Sequence, residues 1–352
     1  MKSKIKSSME KSKSILMVVA KYPATFGHTS VINYLCKELN ELGYRAAIGA
    51  FSFDSQPPFG IETVKLDKRK LLTNGVSYLD FDIIHPHQAR VLYYLLSKKP
   101  NKPIIFHYHG ASSHVQELNF KLSMWRYRNK ISKIISVSNS GINQMQKMVK
   151  NISAEVIYNG VDTKIFNPKL DAPYKKGNPQ LLFVSGLRKY KKVEILINSI
   201  PSLLKKFPNI HLQIVGDGEN FNTLKNMIQE KNLEVQIELL GKKEHDDLKF
   251  YYASCDIYIS ASTFEVCPVP PIEAMACGKP LLLFDIEPHV EIINASKAGK
   301  IFTTTNPDDI TKLVSDILQN KDILEQNARK FGEQHDWSLI GKQLSLIYEE
   351  FN

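Results

Sequence analysis

The sequence predicts an α/β protein made of two domains, each built on a parallel sheet. Three observations carry this. Short apolar runs alternate with segments of helical period, joined by short loops, which is the pattern of a parallel sheet covered by helices. The chain has 352 residues, enough for two domains with sizeable cores. The alternation also halts at a polar connector near 162–176 and then restarts.

In the first half, Ser14 to Ala20 is an apolar run after a polar tail, as expected of a central parallel strand. A loop from Lys21 to Ser30 contains Pro23, Gly27 and His28. Val31, Leu35, Leu39 and Leu42 then fall at helical spacing, and Gly43 ends the helix. Arg45 to Phe51 is the next strand. This opening unit has no G-x-G-x-x-G and is a poor dinucleotide fingerprint. Phe81 to His87 and Lys102 to Tyr108 are strands with histidines at their ends: His85, His87, His107 and His109. Their spacing is wrong for helix-borne zinc motifs, and structural or solvent-facing histidines are the favoured reading over a metal site. Leu118 to Lys133 mixes aromatic and basic residues, including Trp125, Arg126 and Arg128. Two readings stay open there: a solvated helix with a partly buried stripe, or a patch for an anionic membrane surface. Ile134 to Ser138 is a strand, and Ser140 is the expected N-cap of a helix to Val149. Glu155 begins a short strand that runs into Asn159-Gly160, a turn signal.

The second half restarts with strands at Gln180–Ser185, Ile210–Val215 and Val235–Leu240. Helices are expected at Val193–Leu204, Leu224–Lys231 and Asp246–Ala253, and later at 307–318, 322–331 and 337–351. Between them lies the most informative stretch. Asp256 to Ser260 reads as a strand, Glu265 follows in a loop, a short helix carries Glu273, and Pro280 to Phe284 is the next strand. Pro270 and Pro271 suit a first helical turn, and Gly278 stands where a left-handed residue must end the helix. Ligands of open parallel sheets bind at carboxyl strand ends, and a helix start suits a phosphate. Two carboxylates beside such a loop can accept bonds from sugar hydroxyls. Two glutamates eight apart are also common by chance, as solvated residues.

Glu265-x7-Glu273 followed by Ala-Met-Ala-Cys-Gly-Lys-Pro resembles the donor-binding signature of the family 4 retaining glycosyltransferases. Phe81-Asp-Ile-Ile-His-Pro-His87 and Asn159-Gly-Val-Asp...Phe166-Asn-Pro168 are similar to further wording of that family. The resemblance runs from Ile15 to about Phe351. It implies a GT-B fold of two Rossmann-like domains facing a cleft, with the last helix crossing back. The acceptor-binding domain would then be 14–162 plus 338–352, and the nucleotide-sugar domain 163–337. It implies transfer of a sugar from a nucleotide sugar to a glycan or lipid-linked acceptor, with retention of configuration. Glu265 would stabilise developing positive charge, Glu273 would bind the ribose, and Lys191, with Arg188, would oppose the leaving diphosphate. Gly186, Gly216, Gly218 and Gly241 would shape the donor loops, beside Val266, Cys267 and Val269. Gly27, His85 and His87 would line the acceptor side, with His109 pointing at the transferring sugar. No cofactor or metal is expected. Two departures stand out: the family's Arg after Gly186 is absent, and Pro268 replaces a glycine, removing a backbone donor. A non-catalytic nucleotide-sugar binder, or another GT-B enzyme such as an epimerase or phosphorylase, stays open as an alternative.

Composition bounds the rest. No apolar run approaches the ~20 residues of a membrane-spanning helix. Four cysteines without a C-x-x-C pair indicate neither zinc nor a disulfide framework, and fit a reducing cytoplasm. The net charge of +10 fits an anionic donor or membrane face; without a zinc-finger or RRM-type signature, nucleic acid is not an expected partner. Met1 to Lys13 reads as a frayed basic tail.

Overall fold

The structure is a computed structural model and describes residues 13–24 and 28–351. The expectations for the N-terminal tail and for Gly27 fall outside the described residues. The chain forms two compact units.

The first unit takes in the chain up to Val137, then Ile142–Ile157, and Ile340 onward. Its elements begin with β1 (Ser14–Val19), α1 (His28–Glu41), β2 (Arg45–Ala50), β3 (Glu62–Lys65), α2 (Lys68–Asn74) and β4 (Ile83–Pro86). They continue with α3 (Leu92–Leu95), β5 (Ile105–Tyr108), α4 (His114–Tyr127), β6 (Lys133–Ser136), α5 (Asn139–Met148) and β7 (Glu155–Val156). The sheet order is β3-β2-β1-β4. A parallel bridge from Ile84 to Ile104 leads on to β5-β6-β7. All pairings are parallel, and the inner strands β1, β2, β4 and β5 are buried and read as near-continuous apolar runs. The end of the chain returns to this unit: Lys13 donates to the carbonyl of Tyr348 at 2.8 Å.

The second unit comprises Ser138–Gly141 and Tyr158–Leu339. It holds β8 (Gln180–Val184), α6 (Val193–Lys206), β9 (His211–Val215), α7 (Phe221–Glu230), β10 (Ile237–Leu239) and α8 (His245–Ser254). There follow β11 (Ile257–Ser260), α9 (Val269–Ala276), β12 (Leu281–Phe284), α10 (Glu287–Ser296) and β13 (Gly299–Phe302). The last three helices are α11 (Pro307–Gln319), α12 (Lys321–Gln334) and α13 (Trp337–Glu349), of which α13 passes into the first unit's share of the chain. Sheet order is β10-β9-β8-β11-β12-β13, again all parallel. Alternate residues of β8 serve opposite cores: Leu181 and Phe183 pack with α6 and α11, Leu182 and Val184 with the layer that holds α9.

Two local expectations change. The N-cap of α5 is Ser138, whose Oγ accepts from the Gly141 N–H at 3.0 Å; Ser140 lies inside the first turn. The span of β3, α2, α10 and β13 had no assignment in the sequence. Helix α9 ends as expected, with Gly278 at φ +72°, a conformation that costs a side chain but not glycine.

Candidate functional site

In the second sheet, β8 pairs with β9 on one side and β11 on the other, so the strand order reverses between β8 and β11. Crevices at such switch points, beyond the carboxyl ends, are where open α/β sheets bind ligands. The loop after β8 carries Gly186, Arg188 and Lys191; the loop after β11 carries Glu265. The two loops are stitched together by the Tyr190 carbonyl, which accepts from the Thr263 N–H at 2.8 Å and its hydroxyl at 3.0 Å. That contact sets Lys191 Nζ against Glu265 Oε1 in an ion pair. The side chains of Lys191 and Glu265 are only 10% and 17% exposed. Arg188 is half-buried in the same loop, its guanidinium 3.5 Å from the Tyr190 hydroxyl.

The Glu265–Pro268 turn is held from behind. The Val266 carbonyl accepts from Ser138 Oγ at 2.7 Å and Ser140 Oγ at 3.1 Å, and the Cys267 carbonyl accepts from Asn159 Nδ2 at 2.8 Å. With the carbonyls bound on that side, the N–H groups of Val266, Cys267 and Val269 keep no protein acceptor among the described residues. The start of α9 is a weaker anion site than a typical helix end. Of positions 268 to 271 only Val269 carries an N–H, because Pro268, Pro270 and Pro271 have none.

Glu273 sits inside α9 and is buried, its oxygens accepting from Tyr252 Oη at 2.7 Å and His245 Nε2 at 3.1 Å. A carboxylate has about four lone-pair sites, so two stay open to a further donor. The hydrogen bond to Glu273 raises the His245 pKa above its ordinary value, against the effect of burial. His245 and Tyr252 were not among the sequence candidates; their signal, a pair seven apart on one helix, has no local meaning without the partner.

His289 on α10 is a third residue missed. Its Nδ1–H donates to the Phe284 carbonyl at 2.8 Å, so Nε2 is left as an acceptor; it is buried with no partner. Burial lowers its pKa, and the charges of Glu265 and Lys191 both reach it, with opposite sign.

Gly186, Gly216, Gly218 and Gly241 form the rim at the ends of β8, β9 and β10. The Gly216 N–H donates to the Gly241 carbonyl at 2.9 Å, and Leu187 N–H to the Asp217 carbonyl at 2.9 Å. At Gly216 (φ +142°) an added Cβ would lie 1.8 Å from the Ser185 carbonyl oxygen. Gly216→Ala is therefore expected to destabilise the protein by about 3 kcal/mol. Urea unfolding checks this, and an unchanged midpoint would show that the rim yields freely.

The first unit stacks four histidines at the adjacent ends of β4 and β5. Ring centroids are 4.6 Å apart for His85–His87, 5.1 Å for His87–His109 and 4.4 Å for His107–His109. Alternation along each strand puts each pair on one face. His85 is wholly buried and hydrogen-bonds the Tyr348 hydroxyl through Nδ1 at 2.5 Å. Burial pushes its pKa down to about 3. His85 thus cannot line an acceptor site, and this corrects the expectation. His87 is 2% exposed, with Nδ1 2.8 Å from His109 Nε2. One ring of that N–H···N contact must accept. His109 is half-buried and lines, with His87, Arg90, Tyr108, Gln116 and Phe120, a pocket of about 180 Å³. Nitrogens of His85, His87 and His107 lie within 4.8 Å of one another, as three metal ligands would. Yet His85 and His87 are nearly parallel, at 11°, and in-plane lone pairs of stacked rings do not converge on one ion.

Two sheets ordered around one central strand, each with its residues at carboxyl strand ends, define the class: a GT-B arrangement of two Rossmann-like domains. The chain belongs to the family 4 glycosyltransferases and is an enzyme of the hexosyltransferase type. The model for "Glycosyltransferase Family 4" matches residues 27–165, and that for "Glycosyl transferases group 1" matches 168–335. An uncharacterised glycosyltransferase of Methanocaldococcus jannaschii is 26% identical over 96% of this chain and 98% of its own length. Phosphatidyl-myo-inositol mannosyltransferase of Mycolicibacterium smegmatis is 25% identical over 77% of this chain and 71% of its own. The crystal structure of Anabaena HepE in complex with UDP and glucose superposes with a TM-score of 0.80, covering 96% of this chain and 100% of that one at 18% identity.

Proposed function

We propose that the chain transfers a sugar from a nucleoside-diphosphate sugar, bound in the second unit, to a saccharide or lipid-linked acceptor with retention of configuration. The observation that carries it is the buried Lys191–Glu265 pair at the switch point between β8 and β11. An arriving diphosphate competes with Glu265 for the Lys191 ammonium. Lys191 then hydrogen-bonds the departing phosphate oxygens, and the released Glu265 carboxylate faces the sugar as it gains oxocarbenium character. Glu273 accepts from the ribose, and His109 serves the acceptor side. A second Anabaena HepE structure, in complex with UDP-glucose, supports a diphosphate-linked sugar as ligand class. The proline-rich start of α9 favours a second reading, a nucleotide-sugar binder without turnover.

A thermal-shift screen of nucleotide sugars on the full chain separates the two. Saturation at about 100 times the dissociation constant adds about 2.7 kcal/mol. The stabilising donor is then followed by proton NMR. A product of retained anomeric configuration is expected; an inverted product overturns the mechanism, and binding without turnover selects the second reading.

The acceptor reading extends to a membrane. Helix α4 buries Phe120, Met124 and Tyr127, yet its opposite side leaves Val115, Leu118, Leu122 and Trp125 exposed at 70%, 57%, 44% and 78%. Lys121, Arg126 and Arg128 flank this stripe. Apolar side chains between cations suit an anionic lipid surface. No helix of the described residues is long and apolar enough to cross a membrane. Co-sedimentation with phosphatidylcholine vesicles is expected to rise when phosphatidylglycerol is added, to fall with salt, and to weaken in Trp125→Ser. Equal binding to neutral and anionic vesicles would remove the membrane from the reading.

A further inference from the structure

A groove of about 1160 Å³ opens over the carboxyl ends of β1, β2 and β3. It is lined by six cations: Lys21, Lys65, Lys68, Arg69, Lys70 and Arg90. One carboxylate, Asp67, also lines it. Asp67 Oδ1 accepts from the Arg69 N–H at 2.7 Å and the Lys70 N–H at 3.2 Å, capping α2, so its carboxylate offsets only part of that charge. Those amide bonds hold its pKa below the ordinary value. Lys21 is paired with Asp54 at 2.6 Å. Among the described residues, no carboxylate lies within ion-pair distance of the other five cations.

Exposed lysines ordinarily project into solvent. Here they ring a concavity with an aromatic wall. Lys68 Nζ stands 5.1 Å from the Phe51 ring centre and 5.5 Å from that of Tyr94, which fixes its ammonium above the groove. Lys21 and Arg90 follow β1 and β4, the pair between which the first sheet reverses order. The groove therefore has the position of a ligand site and a net positive field. A single carboxylate ligand would leave most of that charge unmet. A phosphate or diphosphate presents several acceptor oxygens and up to two or more negative charges to it.

We propose that this groove binds a phosphate or diphosphate group carried by the acceptor, so that the acceptor is a phosphate-bearing molecule. The inference rests on the first unit being the acceptor side of the proposed glycosyl transfer. The phosphate group lies over β1 to β3, and the aromatic side chains Phe51, Tyr93 and Tyr94 face what is attached to it.

Inorganic pyrophosphate, titrated calorimetrically into the full chain, tests the site without turnover. The Lys65→Gln/Lys68→Gln/Lys70→Gln variant is expected to bind it about tenfold or more weakly, from lost charge-assisted bonds. The corresponding arginine variant should stay within about threefold of the parent, since it keeps the charges. All three lysines are exposed, so the melting temperature should hold, and circular dichroism verifies that the variants are folded. Farnesyl diphosphate and glucose 1-phosphate, each competed against pyrophosphate, distinguish a lipid-borne phosphate from a soluble one. Displacement by either supports the site. Pyrophosphate binding unchanged in the glutamine variant, or lost only in Lys191→Met, places the anion elsewhere and overturns the proposal. Binding of anionic vesicles that pyrophosphate does not displace, without pyrophosphate binding, makes the groove a membrane patch and also overturns it. Failure of donor turnover strikes the transferase reading alone, because the titration involves no donor.

Discussion

Glu265→Gln is expected to lower turnover by about 10²–10³, the effect of losing one electrostatic contact worth about 2.7–4 kcal/mol in the transition state. The amide keeps the shape and one acceptor oxygen but not the charge. An anion beside the anomeric carbon gains attraction only as positive charge develops there, so its removal acts on turnover rather than on donor affinity. From the sequence, a loop position predicts almost no change in stability. The structure predicts more. Glu265 is the counter-ion of the buried Lys191, and removing it leaves that ammonium unpaired. The pair keeps some solvent contact, so the cost is about 1–3 kcal/mol rather than that of a fully enclosed pair. Initial rates at varied donor, with chemical denaturation of both proteins, measure the two effects separately. Retention of more than about a third of parental turnover would remove Glu265 from the chemistry.

What the sequence made legible was local. Apolar runs located β1, β2, β4, β5, β6, β8, β9, β11 and β12, because a doubly covered strand needs no alternation to be visible. The prolines and Gly278 bounded α9 because each acts on its own backbone. By contrast β3, Glu-Thr-Val-Lys, sits at the sheet edge, half exposed, and offers no apolar run. Helix α2 follows it as Lys-Arg-Lys-Leu-Leu-Thr-Asn, too short for a period to emerge. Both lie in the segment that builds the basic groove. At β13, Gly-Lys-Ile-Phe is likewise short and only its last residue is fully buried.

Partners far apart in sequence were the other loss. The resemblance grouped His85, His87 and His109, but nothing in the sequence pointed to Tyr348, 263 residues away, capping His85. Ser140 looked like a cap by composition; the hydroxyl of Ser138 does that work, and both serines hold the Val266 carbonyl. That contact also bears on the domain boundary. A fragment of 163–337 would omit Ser138, Ser140 and Asn159, which position the Glu265 turn, so donor binding is properly measured on the full chain.

Lys191→Met has the other large expected effect, and a double variant separates the two roles of the pair. Methionine fills the lysine stem's space but leaves Glu265 as a largely buried carboxylate without its cation. Breaking a buried pair from one side costs about 3–5 kcal/mol when it is fully enclosed, and somewhat less at this exposure. Lys191→Met/Glu265→Gln removes the unpaired charge, so it should regain most of the lost stability at neutral pH. It should regain none of the activity, since both the cation for the leaving diphosphate and the anion for the sugar are gone. The cost of Lys191→Met in turnover is expected at about 10² or more, as for removal of one preorganised electrostatic donor. Denaturant midpoints of the parent, two single variants and the double variant complete the cycle. A double variant no more stable than Lys191→Met would mean that the pair is not coupled, and a double variant that turns over like the parent would take both residues out of the active site.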